Sequence, residues 1–414
     1  MALVLHAEEP AVSLADLLRQ AKERNPEVQA AFQKWKVVDA EAGAAAVWPN
    51  PTLSYSDQKE PAGQAGVDPL TRKSYGVSQD VPFPGKLSND SRMKRHEALI
   101  AEAAYRDTTL KIAGATKIIV YKLGNLERLI VLAEQNEASL QKTLGITQAR
   151  LAANRGMASD VFMAQMELRR MENMVFEKKQ ERRSAEIELD VLLDEPMEKT
   201  WPGPFEVPVL SDLPLDLPEL LALAETNNPQ IQSAHHEINH SRSMLARSRL
   251  EYAPDFGFSY QYQTAGGGAR GTGPAGRQLG LSLSVPLWVE RPLLMTAGAA
   301  AHIKEAEAEA ESMKNMVRKM VAMEQTEVVT HLTLARKIEN EILPVAEAGL
   351  NSAREQYTSG RGDFMRFLEA NRAWINAHVE QEEQIFHTVE HGSELERWVG
   401  TDLTAVPGEK NHAK

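Results

Sequence analysis

Four segments of the chain alternate between apolar and polar residues, at about residues 51–58, 74–83, 255–263 and 278–287. A two-residue period places the apolar side chains of a strand on one face and the polar or small side chains on the other. In the third segment the apolar members are Phe256, Phe258, Tyr260 and Tyr262. The pattern predicts four β-strands, and a half-buried sheet in a soluble protein is the first interpretation to weigh.

Two features favour a membrane over a soluble sheet. Each segment has about nine residues, the length that a tilted strand needs to cross a bilayer. The polar faces carry Gly, Ser and Gln, which suit a water-filled lumen, and the connecting segments 59–73 and 264–277 are rich in Gly, Pro and Ala, like outer loops. Four strands cannot close a barrel, and an open sheet edge in lipid costs several kcal/mol for each unpaired backbone group. Chains that share one barrel would supply about 8, 12 or 16 strands, and the alternation does not choose among these numbers.

A long helical pattern follows each second strand, at about residues 86–150 and 292–357. Each has roughly 65 residues, which corresponds to about 95 Å at the α-helical rise. Return helices are predicted at about 159–193 and 363–399. A modest coiled-coil seam with steps of three or four residues runs through Leu126, Leu129, Ala133, Asn136, Leu140, Leu144, Thr147 and Leu151.

The two halves of the chain repeat one plan, because residues 14–29 recur 203 positions later (217 − 14). The matching pairs are Leu14 and Leu217, Leu17 and Leu220, Leu18 and Leu221, Ala21 and Ala224, Asn25 and Asn228, Pro26 and Pro229. A repeat of this length is too long for a solenoid unit of ~20–50 residues. The predicted first repeat spans residues 13–195, with a helical hairpin at about 86–193, and the second spans 217–402, with a hairpin at about 292–399. A proline-rich linker at 196–216 joins them. Residues 1–12 are predicted to be a tail or signal-peptide remnant, and residues 403–414 a C-terminal tail.

Composition narrows the function classes. Aromatic residues make up 6% of the 414 residues, which favours helices over a sheet-built core. A net charge of −12 argues against nucleic-acid binding. The absence of cysteine excludes disulfides and thiolate metal sites in this chain. Residues 1–7 are too short for a whole signal peptide, although residues 5–7 resemble the end of one.

One motif suggests zinc chemistry, since residues 236–240 fit H-E-x-x-H with His236 and His240 one helical turn apart. In a metallopeptidase the histidines would bind zinc and Glu237 would be the base. Catalytic zinc also needs a third protein ligand, and Glu251 lies at an unusual spacing for that role. A solvated helix face is the default interpretation, a weak surface metal site that includes His235 stays open, and a periplasmic zinc metallopeptidase is the alternative function.

A second motif, G-x-G-x-x-G at residues 271–276, fits a dinucleotide-binding fingerprint. It lies between two predicted strands with no helix after it, so it fails the context that the fingerprint requires. We interpret it as an outer loop.

Several positions carry a family resemblance. They are the repeated Asn25-Pro26 and Asn228-Pro229, the strand openings Pro51 and Pro254, the junctions Gly76 to Val81-Pro82 and Gly280 to Val285-Pro286, and the helix turns at residues 154–164 and 357–370. On these residues the chain resembles the TolC-type outer membrane efflux channels over about residues 12–403. The segments 48–51 and 81–86 are similar to the branch that serves heavy-metal efflux.

The resemblance implies a mainly α fold with a membrane β-barrel. Long antiparallel coiled-coil helices would form an α-barrel, and four strands per chain would contribute to a shared 12-stranded barrel in a homotrimer. It implies an outer membrane protein with a long periplasmic extension, acting as a passive conduit without catalysis or a cofactor. The partners would be a periplasmic adaptor and an inner membrane pump of the RND type, and the cargo would be heavy-metal cations or drugs. A soluble structural coiled coil is a further alternative.

The resemblance also places functional residues at the helix turns. The periplasmic gate would use Tyr357, Arg361, Asp363, Arg366, Glu369 and Asp160. The adaptor would dock at Asn154, Arg155, Gly156, Gly360 and Gly362. Tyr357 and Glu369 match the gate tyrosine and an inner acidic position of the family, whereas Arg366 stands where a second acid is common. Capping and solvation of helix ends is the competing explanation for these charges.

Overall fold

The computed structural model describes residues 13–60, 70–205, 216–266 and 273–403. The two tails, residues 206–215 of the linker and the predicted outer-loop residues 61–69 and 267–272 lie outside the described residues. The G-x-G-x-x-G segment is described from Gly273 onward, where it belongs to a strand.

The described chain is mainly helical with one antiparallel four-stranded sheet, which confirms the predicted fold class. The first repeat contains α1 (Leu14–Arg24), α2 (Pro26–Ala44), β1 (Thr52–Glu60), β2 (Leu70–Val81), α3 (Lys86–Ala152) and α4 (Ala158–Leu193). The second contains α5 (Leu217–Asn227), α6 (Pro229–Arg249), β3 (Asp255–Gly266), β4 (Gly273–Ser284), α7 (Glu290–Lys337), a π-helical turn (Ile338–Ile342), α8 (Leu343–Thr358) and α9 (Phe364–Val399). No described helix is both long enough and apolar enough to cross a membrane.

The repeated Asn-Pro pairs close each repeat in the same way. Asn25 donates its side-chain amide to the carbonyl of Leu192 at 3.0 Å, and Asn228 donates to the carbonyl of Trp398 at 2.8 Å. Each asparagine therefore fastens the junction between two consecutive helices, α1 and α2 or α5 and α6, to the end of a return helix. Both asparagines are buried, at 4% and 1% exposure, and an apolar residue there would take this donor away from a partly buried carbonyl.

The second long helix is not continuous, in contrast to the prediction of one helix over 292–357. Pro344 has no backbone N–H to donate to the carbonyl of Asn340, and its ring crowds that carbonyl. The backbone before Pro344 forms a π-helical turn at Ile338–Ile342, and the Asn340 side-chain amide donates to the carbonyl of Arg336 at 2.8 Å. The repeat offset also grows along this helix, from 204 at Val285 (285 − 81) to 206 at Gly360 (360 − 154). A π turn takes more residues than an α turn, so it accommodates part of the excess.

The sheet has the order β1-β2-β3-β4, and its register places the apolar residues on one face. Tyr55 pairs with Tyr75, Val77 with Tyr260, and Phe258 with Leu281. The other face carries rows such as Ser54, Gly76 and Gln261. The strands differ from the predicted bounds by up to five residues, because backbone pairing continues into segments whose side chains no longer alternate.

The chain divides into two compact units. The first takes its described residues from Met1–Ala31, Tyr105–Pro229 and Lys314–Lys414, and the second from Phe32–Ala104 and Gln230–Met313. The second unit contains the sheet, and at its strand-to-helix junction Asp255 accepts hydrogen bonds from the Phe83 backbone and the Lys86 side chain, both at 2.8 Å.

Among its described residues, the first unit has two apolar cores. One gathers residues of α1, α3 and α4 and also takes in Trp201 and Phe205 from the linker. Neither residue was predicted as a core anchor from the sequence. The Trp201 indole N–H donates to a carboxylate oxygen of Asp190 at 2.8 Å. The other core joins α3, α4, α8 and α9 and includes the seam residues Ala133 and Leu140, whereas Leu126 belongs to the first core. Leu151, the last seam residue, is instead 36% exposed because α3 ends one residue later.

Candidate functional site at the paired helix turns

The two turns that join α3 to α4 and α8 to α9 share one backbone design. Asn154 and Gly360 have positive φ angles of 53° and 78°. In each turn the next N–H reaches back five residues, from Arg155 to the carbonyl of Arg150 at 2.8 Å and from Arg361 to that of Gln356 at 2.9 Å. These are Schellman-type helix ends, and asparagine tolerates the left-handed conformation that glycine usually supplies.

Two residues after the positive-φ position, each turn has a glycine where a side chain would be crowded. A Cβ atom on Gly156 would lie 3.2 Å from the Cβ of Arg150, and one on Gly362 would lie 2.8 Å from the Cβ of Gln356. The predicted docking residues thus form two matched, tightly folded turns. Asn154, Arg155 and Gly360 are exposed there, and Gly156 and Gly362 are half-buried.

Tyr357 lies inside its own chain at 3% exposure. Its hydroxyl donates to Thr147 Oγ1 at 3.0 Å, and its ring packs 5.1 Å from Phe364. The Arg150 guanidinium stacks 4.7 Å over the ring and also donates to the Tyr357 carbonyl. The tyrosine therefore ties the end of α8 to the end of α3.

Further contacts tie the α3–α4 hairpin to the α8–α9 hairpin. Arg372 forms a two-pronged ion pair with buried Glu167, with N–O distances of 2.9 and 2.5 Å. Hydrogen bonding to Glu167 raises the pKa of Arg372, and the charges of Glu167 and Glu369 add to the shift. Arg354 also donates to Ser139 at 3.1 Å. Any movement of one hairpin relative to the other would therefore break several polar contacts, including charge-assisted hydrogen bonds.

The predicted gate charges remain at the surface of the chain. Arg361, Asp363, Arg366 and Glu369 are exposed, and Asp160 is half-buried in the first turn of α4. A carboxylate in that position interacts favourably with the helix dipole. The negative charge of Glu369 acts on Arg372, which lies three residues later on α9.

Sequence reasoning missed Thr147 and Arg150 as partners of Tyr357. They lie 210 and 207 positions away along the chain, so no local spacing could pair them. The available signal was an arginine in the last turn of α3, six residues before the glycine of the turn.

The H-E-x-x-H histidines lie on α6 and contact α3. His236 stacks on His96 with ring centroids 5.9 Å apart, and His240 Nε2 lies 3.4 Å from Glu97. Burial lowers the pKa of His236, and the neighbouring His235 adds to the effect. Among the described residues, the one compact group of three metal-ligating side chains lies elsewhere, so the zinc-peptidase geometry is not assembled here.

Comparisons with known proteins agree with this architecture. A family model described as outer membrane efflux protein matches residues 17–194 and 220–384. The solved structure of the outer-membrane channel OprN is 18% identical with a TM-score of 0.80, over 94% of this chain and 90% of that chain. CusC, described as forming a transmembrane channel, is 14% identical with a TM-score of 0.79, over 96% of each chain. VceC from Vibrio cholerae is 16% identical with a TM-score of 0.78, over 94% of this chain and 96% of that chain. A search of curated proteins returns no significant match.

Proposed function

The chain belongs to the outer membrane efflux protein family, and we propose that three copies of it form the exit channel of a tripartite efflux system. The observation that carries this proposal is the apolar face of the sheet. Leu279, Leu281 and Leu53 on that face are 85%, 72% and 81% exposed in the single chain. Burial in lipid removes this surface from water, and the opposite, polar face lines the lumen.

The sheet edges support assembly from several copies. In the described part of the chain, β1 and β4 each pair with one strand only. Pairing β1 of one copy with β4 of the next would satisfy both edges, and three copies close a 12-stranded barrel. On α4, the apolar residues Phe162, Phe176 and Val191 are 68%, 64% and 54% exposed, and neighbouring copies would cover them.

The partners follow from the same assignment. A periplasmic adaptor would dock at the matched turns, with Asn154 and Gly360 at their tips, and an inner membrane pump of the RND type would supply the energy. The cargo we propose is heavy-metal cations or drugs, on the likeness of segments 48–51 and 81–86 to the heavy-metal branch. The channel itself acts as a passive conduit and has no catalytic role.

The gate is proposed at the turns, with Tyr357 as the residue that holds it closed. Opening would require the α8–α9 hairpin to move away from α3, which breaks the Tyr357–Thr147 hydrogen bond and the contacts of Arg150. The exposed Glu369 carboxylates of three copies would meet near the axis and attract multivalent cations.

We expect the double variant Tyr357→Phe/Glu369→Ala to raise conductance in planar bilayers and to reduce block by hexaamminecobalt(III). Each lost hydrogen bond contributes roughly 0.5–1.5 kcal/mol, and a trimer loses three. The measurement is single-channel recording on the trimer purified in mild detergent.

Two further variants test whether the Tyr357–Thr147 hydrogen bond is the cause of the change in conductance. Thr147→Val removes the other partner of the same bond and should reproduce Tyr357→Phe. Thr358→Val is the matched control, because that hydroxyl bonds carbonyls of its own helix, with Arg354 at 2.9 Å. A double variant that conducts and is blocked like the parent would rule out the gate, and a conducting monomer would rule out the trimer.

A further inference from the structure

Three metal-ligating side chains converge between α7 and α9, away from the helix turns. Glu327, His331 and His391 each offer one ligand atom, and these atoms lie within 4.8 Å of one another. Nothing in the channel function described above uses this cluster. All three residues belong to the first compact unit.

Helical spacing accounts for the convergence. Glu327 and His331 are four residues apart on α7, so their side chains share one face of that helix. On α9, His387 and His391 have the same spacing. The ring of His331 lies 5.4 Å from that of His391, at an angle of 4°, and 5.0 Å from that of His387.

Both histidines of the cluster are oriented by a second hydrogen bond. His391 Nδ1 lies 2.8 Å from a carboxylate oxygen of Glu324, and His331 Nδ1 lies 2.7 Å from the amide oxygen of Gln384. A carboxylate oxygen and an amide oxygen accept hydrogen bonds, so Nδ1 is the donor in each pair, which leaves Nε2 as the ligand nitrogen. Metal-binding histidines are held in this way, with the other ring nitrogen donating to a carboxylate or carbonyl oxygen.

The distances are close to those of a metal centre. His331 Nε2 already lies 3.7 Å from Glu327 Oε2. Tetrahedral ligands at about 2.0–2.1 Å from zinc are about 3.3 Å from one another. Ligand atoms that now lie within 4.8 Å must therefore approach by about 1.5 Å at most, which side-chain torsions can supply.

We propose that Glu327, His331 and His391 bind a divalent transition-metal cation of the zinc class and thereby fasten α7 to α9. Two imidazoles and one carboxylate are a zinc ligand set, with water in the fourth position. Imidazole ligands also favour Cu²⁺ and Ni²⁺, whereas Mg²⁺ prefers oxygen ligands alone. The proposal does not depend on which cargo the channel exports.

The test is calorimetric titration of the full-length purified protein with zinc chloride, after removal of metals by a chelator. We expect one high-affinity Zn²⁺ per chain, and magnesium chloride should give no binding. His331→Gln and His391→Gln should each abolish this binding, and Glu324→Ala should weaken it by 10–100-fold because it releases the orienting bond of His391.

Two matched controls separate this site from other histidines. His302→Gln removes an exposed histidine of α7 that pairs with Glu305 on its own helix. His236→Gln removes a histidine of the H-E-x-x-H motif. Both should bind zinc like the parent. Unchanged affinity in His331→Gln, or a loss that follows His236→Gln instead, would overturn the proposal.

A measurement on the unaltered protein covers the case in which a variant misfolds. With one equivalent of Cu²⁺ bound, electron spin echo spectroscopy counts the coordinated imidazoles. We expect two in the parent. A spectrum with no coordinated imidazole, or no zinc binding by the parent at all, would contradict the site.

Discussion

Replacing Lys117 by methionine is expected to destabilise the helical part of the protein by about 3–5 kcal/mol, because it leaves a buried carboxylate without its cation. Lys117 Nζ lies 2.6 Å from Glu396 and 3.1 Å from Asp402, and it connects α3 to the end of α9. Burial raises the pKa of Glu396. Burial alone would lower the pKa of Lys117, but the charges and hydrogen bonds of Glu396 and Asp402 outweigh it, so the pKa of Lys117 is raised. Thermal denaturation in detergent, followed by circular dichroism at the helix band, measures the loss.

Two companion variants test the cause of this loss. Lys117→Met combined with Glu396→Leu should recover most of the stability, since an apolar pair replaces a buried ion pair at little net cost. Lys122→Met is the surface control on the same helix, because the half-exposed Lys122 pairs with the exposed Glu188 at 3.6 Å. It should change stability by about 1 kcal/mol at most. Equal losses from Lys117→Met and Lys122→Met would contradict a role for burial.

The second large effect is expected in the sheet, where Leu281→Arg should prevent most of the protein from assembling in the membrane. An arginine on a lipid-facing position near the middle of the bilayer costs about 2–4 kcal/mol, and a trimer carries three. Leu281 is 72% exposed and lies on the apolar face opposite Phe258. The yield of trimer in outer membrane fractions, resolved on unheated gels, measures the effect.

The neighbouring position supplies the control, because the next residue along a strand points to the other face. Ser282 lies on the polar face, where its hydroxyl contacts the carbonyl of Gly257 at 3.4 Å. Ser282→Arg places the same charge toward the lumen and should assemble far better than Leu281→Arg. Equal losses from the two variants would remove the basis for a lipid-facing side.

The sheet was predictable because its signal is local. Alternation over a few residues fixes which side chains share a face, so Phe258 and Leu281 could be placed together before their strands were known to pair. The strand ends were less predictable, since β4 begins at Gly273, where glycine and proline interrupt the alternation.

The helical part was predictable in outline and not in its contacts. The repeat located Asn25 and Asn228, but their bonds to Leu192 and Trp398 join residues 167 and 170 positions apart. Pro344 was visible in the sequence, yet whether a helix ends, kinks or forms a π turn at proline depends on the packing around it.

In the candidate sites, too, the local patterns were predictable and the contacts between distant residues were not. Tyr357 was identified from the family pattern, whereas its partner Thr147 follows only from the packing of two hairpins. The H-E-x-x-H motif on α6 suggested a zinc site from its spacing alone, whereas the three-ligand group of the described residues lies elsewhere. The cluster around His331 was not predicted, because its ligands come from two helices whose relative position the sequence does not specify. The local signal was a pair of metal-ligating residue types four positions apart on each helix, Glu327 and His331 on α7 and His387 and His391 on α9.

The most direct test of a membrane barrel with a water-filled lumen is the labelling of single cysteines along β4. The parent chain has no cysteine, so each introduced thiol reports one position. Cysteines at Leu281, Ser282, Leu283 and Ser284 would be treated with a water-soluble maleimide in intact outer membrane fragments. We predict labelling at 282 and 284 and protection at 281 and 283, because polar positions face the lumen and apolar positions face lipid. Uniform labelling of all four positions, or labelling at 281 and 283 alone, would contradict the membrane channel.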